Sequence, residues 1–316
     1  MLPFLMLAHT LSGQISLSFS EILSAFGSYD SNNMNHLIFF EFRIPRMAMA
    51  VLSGGALAVS GMLMQTLFNN PLAGPYVLGI NSGASLVVAL TLLTGIPFFT
   101  SDLGLITGAL LGSFLFGSVI LLFSVYVRSH ISLLLIGLMI SSFVGALITT
   151  LESISAAEQL KIFTFWSFGS LQQTTFDQLP IILGSIGLGI ICSFLLTKPL
   201  NAMVLGEVSA KTLGVPIRAL RISVISITAL LTGTITAFCG PIAFVGLAIP
   251  NLTRMLFRTQ NHQFLLIGNL LIGGIFMLTC DTIIQILEPN FVLPINALTS
   301  LIGAPFVVYI ILKKLI

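Results

Sequence analysis

Long apolar runs follow one another along almost the whole chain, and only short polar intervals separate them. A helix needs about 20 apolar residues to cross a bilayer, so runs of this length predict membrane spans. The predicted spans are residues 46–68, 76–98, 103–127, 131–152, 179–197, 221–239, 242–257, 264–287 and 295–312. Residues 1–11 are apolar but shorter than a span, which indicates either a short first helix or a start codon placed late. The pattern predicts an all-α, polytopic membrane protein with about ten transmembrane helices.

Composition agrees with this prediction and limits the function classes. Of the 316 residues, 56% are hydrophobic and 7% are charged, whereas soluble domains carry about 25% charged residues. A single transmembrane domain, residues 1–316, is predicted because no interval has room for a soluble domain. The net charge of +2 gives no support to a nucleic-acid partner. The spacing of the three cysteines fits no metal site, so they are expected to be small packed residues and no metal is predicted.

The basic residues predict the orientation of the chain, since cytoplasmic loops are enriched in Lys and Arg. If the C-terminus is cytoplasmic, the same side holds Arg128, Lys198, Lys211, Arg218, Arg221, Arg254, Arg258, Lys313 and Lys314. The opposite side keeps only Arg43, Arg46 and Lys161, together with most of the acidic residues. With ten spans, the N-terminus is then also cytoplasmic. Residues 1–42 would hold the short first helix and an outer segment, and residues 198–220 would form a cytoplasmic loop.

Two breaks in the apolar pattern predict special backbone inside the bundle. Residues 70–73 (Asn-Pro-Leu-Ala) recur 170 positions later as residues 240–243 (Gly-Pro-Ile-Ala), and each precedes a span with a predicted internal break, at 79–83 and at 246–251. Such a pair is typical of inverted-topology repeats in transporters, although four matched positions could also arise by chance. Non-helical backbone in a membrane must be buried in protein or face water. The candidate residues for helix breaks or the translocation path are Asn70, Pro71, Gly79, Asn81, Pro241, Gly246, Pro250, Asn251, Pro294, Thr299, Gly303 and Pro305.

Arg43 and Arg46 flank a proline at the predicted outer mouth, against the charge rule. Guanidinium groups at such a place can form bidentate ion pairs with carboxylates of a docking protein. The alternative is that they anchor the start of a helix at the interface by binding lipid phosphate.

The polar interval between the fifth and sixth long runs predicts one short cytoplasmic helix over residues 205–216. Glu207 suits a helix N-terminus, Gly214 a left-handed C-cap, and Pro216 a stop. This helix is either a solvated connector or a contact for a partner. The sequence 206–212 only superficially resembles a phosphate-binding Walker A loop, because the glycine before Lys211 is replaced by Ala210 and no buried strand precedes it. We therefore predict that the chain itself does not bind ATP and is not an enzyme.

Several of these motifs together resemble the FecCD-type permeases of ABC importers, which import ferric siderophores, haem and vitamin B12. The resemblance rests on Arg43-Ile44-Pro45-Arg46, on Leu205-Gly206-Glu207 followed by a small-residue helix and Leu213-Gly214, on Gly240-Pro241-Ile242-Ala243-Phe244-Val245-Gly246-Leu247, and on Leu301-Ile302-Gly303-Ala304-Pro305-Phe306. It extends from Arg43 to the C-terminus. Three positions depart from the family pattern: Asn251 replaces a histidine, Asn296 a glycine, and Gln285 an arginine.

The resemblance implies a vitamin B12 permease type of fold in the bacterial cytoplasmic membrane. It implies a homodimer, or a heterodimer with a related permease, with the path between the subunits and lined by the fifth and the last helix, residues 131–152 and 295–312. It also implies an extracytoplasmic substrate-binding protein that docks at Arg43 and Arg46. Two ATPase subunits, which bind the ATP and Mg²⁺, would contact Gly206, Glu207, Ala210, Leu213 and Gly214.

Other functions remain open from the sequence alone. A ferric siderophore is the favoured cargo, and haem or cobalamin are alternatives within the family. A secondary transporter driven by an ion gradient would also suit an inverted repeat. Such transporters usually need buried ionisable residues, and Asp281 is the candidate that the spans offer. An intramembrane enzyme is disfavoured because the four histidines (His9, His36, His130 and His262) map to membrane edges or loops.

Overall fold

The computed structural model describes residues 1–13, 18–27, 30, 32–76, 79–95, 102–127, 130–288 and 293–315, and the regular elements among these residues are all helical. The helices are α1 (Leu2–Leu11), α2 (Phe19–Gly27), α3 (Met34–Leu37), α4 (Ile44–Leu67), α5 (Ile80–Thr94), α6 (Asp102–Tyr126), α7 (His130–Ile154), α8 (Ala157–Ser167), α9 (Leu179–Leu195), α10 (Thr197–Met203), α11 (Glu207–Thr212), α12 (Ile217–Cys239), α13 (Val245–Phe257), α14 (His262–Leu287) and α15 (Ile295–Leu315). A π-helical stretch, Ile38–Arg43, joins α3 to α4, and one 3₁₀ turn, Phe176–Gln178, precedes α9.

The apolar helices of the described residues correspond to the ten predicted segments. Six helical stretches are long and apolar enough to cross a membrane: Met34–Leu67, Leu103–Ser124, Ile131–Ile154, Phe176–Leu195, Ile217–Cys239 and His262–Leu287. Four shorter apolar helices complete the set: Leu2–Leu11, Ile80–Thr94, Val245–Phe257 and Ile295–Ile310. The all-α, multi-span architecture is therefore confirmed, and Leu2–Leu11 form a short apolar helix.

The first long helix begins earlier than its apolar run predicts. It is continuous from Met34 to Leu67, because α3, the π-helical stretch and α4 follow one another without a break. Pro45 lies in the first turn of α4, where the missing N–H of a proline costs little. The sequence did not predict this extension because the polar residues Asn35 and Glu41 interrupt the apolar pattern.

The two backbone breaks lie before short helices and do not interrupt them, which corrects the predicted internal breaks at 79–83 and 246–251. The first break ends at Gly79, whose φ of +74° precedes the first turn of α5. The second ends at Phe244, whose φ of +65° precedes α13, and Pro250 lies within that helix. A left-handed residue at each place changes the direction of the chain just before the helix begins. Residue type predicts such a conformation only at glycine, so the one at Phe244 could not be predicted.

Helix α4 forms the centre of the bundle and packs against α12, α13 and α14. Its glycines allow backbone contact: a Cβ on Gly54 would lie 2.0 Å from the carbonyl oxygen of Gly273, and one on Gly61 would lie 1.7 Å from that of Gly246. Small residues permit this approach where lipid gives no hydrophobic drive for helices to associate. Burial agrees with this central position, since 78% of the apolar stretch that contains α4 is buried, against 17% of the stretch that forms α7.

Candidate functional site

A buried ion-pair network joins three helices at one end of the bundle. The carboxylate of Asp281 in α14 accepts two hydrogen bonds from Arg46 in α4, with Nε–Oδ2 at 2.8 Å and Nη2–Oδ1 at 3.0 Å. His9 in α1 places its Nε2 2.7 Å from the same Oδ2. Asp281 is 2% exposed and His9 is fully buried. This end is named the outer end below, after the orientation predicted from charge, and the opposite end is named the inner end.

Both arginines of the predicted docking motif belong to this network. Arg43 donates from Nη1 to Oε1 of Gln285 at 3.2 Å and is 7% exposed. Arg46 also approaches Glu288 at 3.5 Å. An outer cavity of about 450 Å³ opens beside them, with Arg43, Arg46, Glu288 and Gln172 in its lining. The sequence placed the two arginines at the mouth of the bundle but missed their internal partners, which lie more than 230 residues away along the chain.

The first break meets α13 near the inner end of α4. The side-chain amide of Asn251 donates to the carbonyl oxygens of Pro71 and Leu247, both at 2.9 Å. Gln65 donates to the same Leu247 carbonyl at 3.1 Å, and Arg254 donates to Oε1 of Gln65. Thus Asn251, at the position where the family pattern has histidine, ties the first break to α13 through neutral hydrogen bonds.

Most of the predicted break or path residues lie inside the subunit. Eight are buried: Gly79, Asn81, Pro241, Gly246, Pro250, Asn251, Thr299 and Gly303. Four are partly or fully exposed: Asn70, Pro71, Pro294 and Pro305. The buried polar members have partners, since Asn81 accepts from the hydroxyl of Thr236 at 3.0 Å. Asn296, where the family pattern has glycine, accepts from the N–H of Ala243 at 3.0 Å and so fixes the second break to α15.

Helix α7 carries an exposed strip of small and polar residues, whose individual positions the sequence reasoning did not single out. Ser142, Gly145 and Thr149 are all exposed, and they follow one another at intervals of three and four residues on one helix face. A Cβ on Gly145 would meet no atom within 4 Å. The signal was present as a helical period of small residues within an apolar run, but the same period also occurs in helices that pack internally.

The inner end carries the short helix predicted over residues 205–216, and it has the expected caps. Gly206 precedes α11 with a φ of +96°, and Gly214 follows it with a φ of +81°. Gly214 N donates to Lys211 O at 2.9 Å and Val215 N to Ala210 O at 3.0 Å, which closes the C-terminus.

The surface of α11 combines charge with exposed apolar side chains. Glu207 and Lys211 form an ion pair at 2.9 Å one turn apart. Val208 is 80% and Leu213 is 64% exposed, while Ala210 is fully buried against the bundle. A helix of six residues that presents apolar side chains outward fits a contact surface for another protein better than a solvated connector.

Comparison with known proteins agrees with this geometry. The sequence profile described as the FecCD transport family matches residues 1–313. The chain is 35% identical to the hemin transport system permease protein HmuU of Yersinia pestis over 99% of this chain and 93% of that protein. It is 32% identical to the iron-uptake system permease protein FeuB of Bacillus subtilis, with 98% and 92% covered.

Among solved structures, the chain superposes on the one described as an inward-facing conformation of a putative metal-chelate type ABC transporter, with a TM-score of 0.86 and 32% identity. That match covers 99% of this chain and 97% of the other. The similarity therefore extends through all helices, including the first forty residues, where the motifs were weakest. The chain belongs to the FecCD transport family and is a multi-pass membrane permease of the ABC importer type.

Proposed function

We propose that this chain is the membrane-spanning permease subunit of a binding-protein-dependent ABC importer for an iron chelate, with a ferric siderophore as the favoured cargo. The observation that carries the proposal is the match to the FecCD family over residues 1–313. The names of HmuU and FeuB, hemin and iron permeases respectively, support chelated iron as the cargo class. Haem and cobalamin are the alternatives within the family. The bacterial cytoplasmic membrane is the proposed location, with both termini cytoplasmic.

Two permease subunits enclose the path in this proposal. The support is the exposed strip on α7, because small residues such as Ser142, Gly145 and Thr149 are enriched where membrane helices meet. Helix α15 exposes Pro305 in the same way, and its Gly303 packs on Phe244 at the second break. Either a second copy of the chain or a related permease can supply the opposite wall. The buried residues of the predicted path then lie behind the surface of the path. There they set the backbone turns that position the helices of its wall.

The ATPase subunits contact α11 in this proposal, one on each permease. The exposed side chains of Val208 and Leu213 offer apolar contact area, and Glu207 offers a charge for pairing. Ala210 is buried and α11 contacts α10 and α12, so that a displacement of α11 is transmitted to the long helix α12. ATP and Mg²⁺ would be bound by these partners, and this chain would carry no catalytic residue.

Docking of the binding protein is proposed at the outer cavity beside Arg43 and Arg46. The side chain of Arg46 is 12% exposed and already shared between Asp281 and Glu288. An acidic residue of the binding protein could therefore replace Glu288 as a partner of Arg46 without breaking the buried pair with Asp281. Arg43→Glu should weaken docking by reversing the charge in the cavity, and unchanged binding would remove this part of the proposal.

The test of the proposal is co-purification followed by uptake. A tagged chain is solubilised from native membranes in mild detergent, and its partners are identified by mass spectrometry. An ATPase subunit together with uptake that stops on ATP depletion supports the importer. Reproducible isolation without an ATPase, with uptake that survives ATP depletion and stops with a protonophore, identifies a secondary transporter instead. In that case Asp281, with His9 beside it, would be the residue to examine for proton coupling.

A further inference from the structure

Arg254 lies at the inner end of α13, where it lines a cavity of about 240 Å³. The cavity is bordered by the end of α4, the first break, the end of α10 and α13. Seven of its ten lining residues are polar, among them Gln65, Asn70, Asn251 and Gln260. Arg254 is the one charged residue in the described lining, and no acidic residue lines the cavity with it.

Two other arginines of the described bundle have more hydrogen-bond acceptors than Arg254 has. Arg46 has the carboxylates of Asp281 and Glu288. Arg221 donates from Nη1 to two backbone carbonyls, at 2.9 and 3.2 Å. Among the described residues, Arg254 donates to a single acceptor, Oε1 of Gln65. A guanidinium has five N–H donors, so most of its capacity is left for a ligand.

A partly buried charge without a counter-charge is costly, and the cost is removed when an anion with several acceptor oxygens enters the site. Guanidinium groups bind phosphate and carboxylate oxygens in pairs, because the fork of donors matches their spacing. The side-chain amides of Gln65 and Asn70 keep N–H donors for the remaining oxygens of such an anion, whereas both amide hydrogens of Asn251 are already donated to Pro71 and Leu247.

We propose that the Arg254 cavity is a binding site for a phosphate-type oxyanion at the inner end of the subunit. Its source is either free phosphate or the phosphate of a lipid headgroup, and both offer the same oxygens to the guanidinium. Because the cavity touches both the first break and Met203 and Val204, which lead into α11, a bound anion bridges these two segments. The site concerns binding and stability of the permease itself, so its test does not depend on transport or on the cargo.

The test is thermal unfolding of the full chain in phosphatidylcholine nanodiscs, with inorganic phosphate titrated at constant ionic strength. Unfolding is followed with a thiol-reactive dye in a Cys192→Ser background, since Cys239 and Cys280 are buried in the folded chain whereas Cys192 is only partly buried. Wild type should be stabilised as phosphate rises, and Arg254→Gln should bind phosphate about tenfold more weakly or not at all. The matched control is Arg258→Gln, which removes an exposed charge four residues away and should retain the wild-type response. An equal phosphate response in Arg254→Gln and wild type overturns the proposal.

Gln65→Glu is a second variant that keeps the size of the side chain and gives Arg254 an internal counter-charge. It should lose the phosphate response, which is the readout, because the new carboxylate also gives up the hydrogen bond that Gln65 donates to the Leu247 carbonyl and so changes the unfolding temperature for a second reason. If it keeps the full response, the guanidinium is not the binding group and the proposal fails.

Nanodiscs with added phosphatidylglycerol and no free phosphate distinguish the source of the anion. Stabilisation that depends on Arg254 only in these discs assigns the site to a lipid headgroup, whereas stabilisation by inorganic phosphate in phosphatidylcholine assigns it to the free ion. If neither condition gives a response that depends on Arg254, the site does not exist.

Discussion

The carboxylate of Asp281 in α14 is held in place by residues from two other helices, α1 and α4. Arg46 binds both of its oxygens, and His9 lies 2.7 Å from one of them. These contacts fasten the short helix α1, which at ten residues cannot span a bilayer by itself, to α14. They also occupy the carboxylate, which makes Asp281 a structural anchor and a poor carrier of protons.

Replacing Asp281 with Asn should therefore destabilise the fold. Removing one member of a buried ion pair leaves the other charge uncompensated and costs about 3–5 kcal/mol. Unfolding in detergent, by heat or by denaturant, would measure the loss. The control is Glu158→Gln at an exposed position of α8, where a change within about 0.5 kcal/mol is expected. Wild-type stability of Asp281→Asn would contradict the anchoring role.

At the scale of residues, the sequence showed which side chains stand out better than it showed which residues they contact. Arg43 and Arg46 stood out because they break the charge rule, and Asp281 because it is an acid within an apolar run. Their contacts could not be predicted, since pairs separated by 235 and 242 residues form only when the helices pack. The same holds for Arg254, whose cavity requires the first break, α10 and α13 to be brought together.

Among the elements, α11 has the clearest testable role. Glu207→Arg should uncouple ATP hydrolysis from uptake in the assembled importer, because it reverses the charge that the helix offers to a partner. The double variant Glu207→Lys with Lys211→Glu restores the ion pair within the helix, which is worth only about 0.3–0.5 kcal/mol. It should remain uncoupled if the position of the acid matters to the ATPase. Normal coupled uptake by the double variant would show that Glu207 only stabilises the helix and does not contact the ATPase.

The glycines of α4 give a second test at this scale. Gly61→Ala should destabilise the fold by about 1–3 kcal/mol or more, because the new Cβ would lie 1.7 Å from a backbone oxygen of α13. Gly184→Ala in α9 is the matched control, since no atom lies within 4 Å of its Cβ and alanine favours a helix. Thermal unfolding compares the two, and equal stability would show that α4 and α13 do not pack so closely.

The helices themselves were largely predictable, because a bilayer forces apolar runs into helices of known length. The predicted ends of α9, α12 and α14 lie within a few residues of the observed ones. Prediction from the sequence failed where local backbone geometry determines the structure. These places are the continuous helix from Met34 and the left-handed residues at the two breaks. Backbone conformation at Phe244 follows from packing and not from its residue type.

For the whole molecule, burial is strongly uneven. The stretches containing α4 and α12 are 78% buried, whereas α6, α7 and α9 are 33%, 17% and 28% buried. Low burial alone cannot separate a surface that meets lipid from one that meets a second subunit. The side chains give a partial distinction: both helices expose large apolar residues and a glycine, but α7 also exposes the hydroxyls of Ser142 and Thr149, whereas the exposed residues of α9 are apolar. This contrast in exposed hydroxyl groups predicts that α7 meets a second subunit and that α9 meets lipid.

The contrast predicts opposite effects of the same substitution on the two helices. A Cβ at Gly145 or at Gly184 meets no atom of the chain within 4 Å, so Gly145→Trp and Gly184→Trp should both fold with near wild-type stability. In the assembled importer, however, Gly145→Trp should abolish cargo uptake, since the indole would fill the space between subunits. Gly184→Trp should transport normally, because tryptophan is tolerated on a lipid-facing helix. Uptake by reconstituted proteoliposomes and unfolding temperature separate the two effects. If both variants transport equally well, α7 does not line the path and the wall of the path must be sought on another helix.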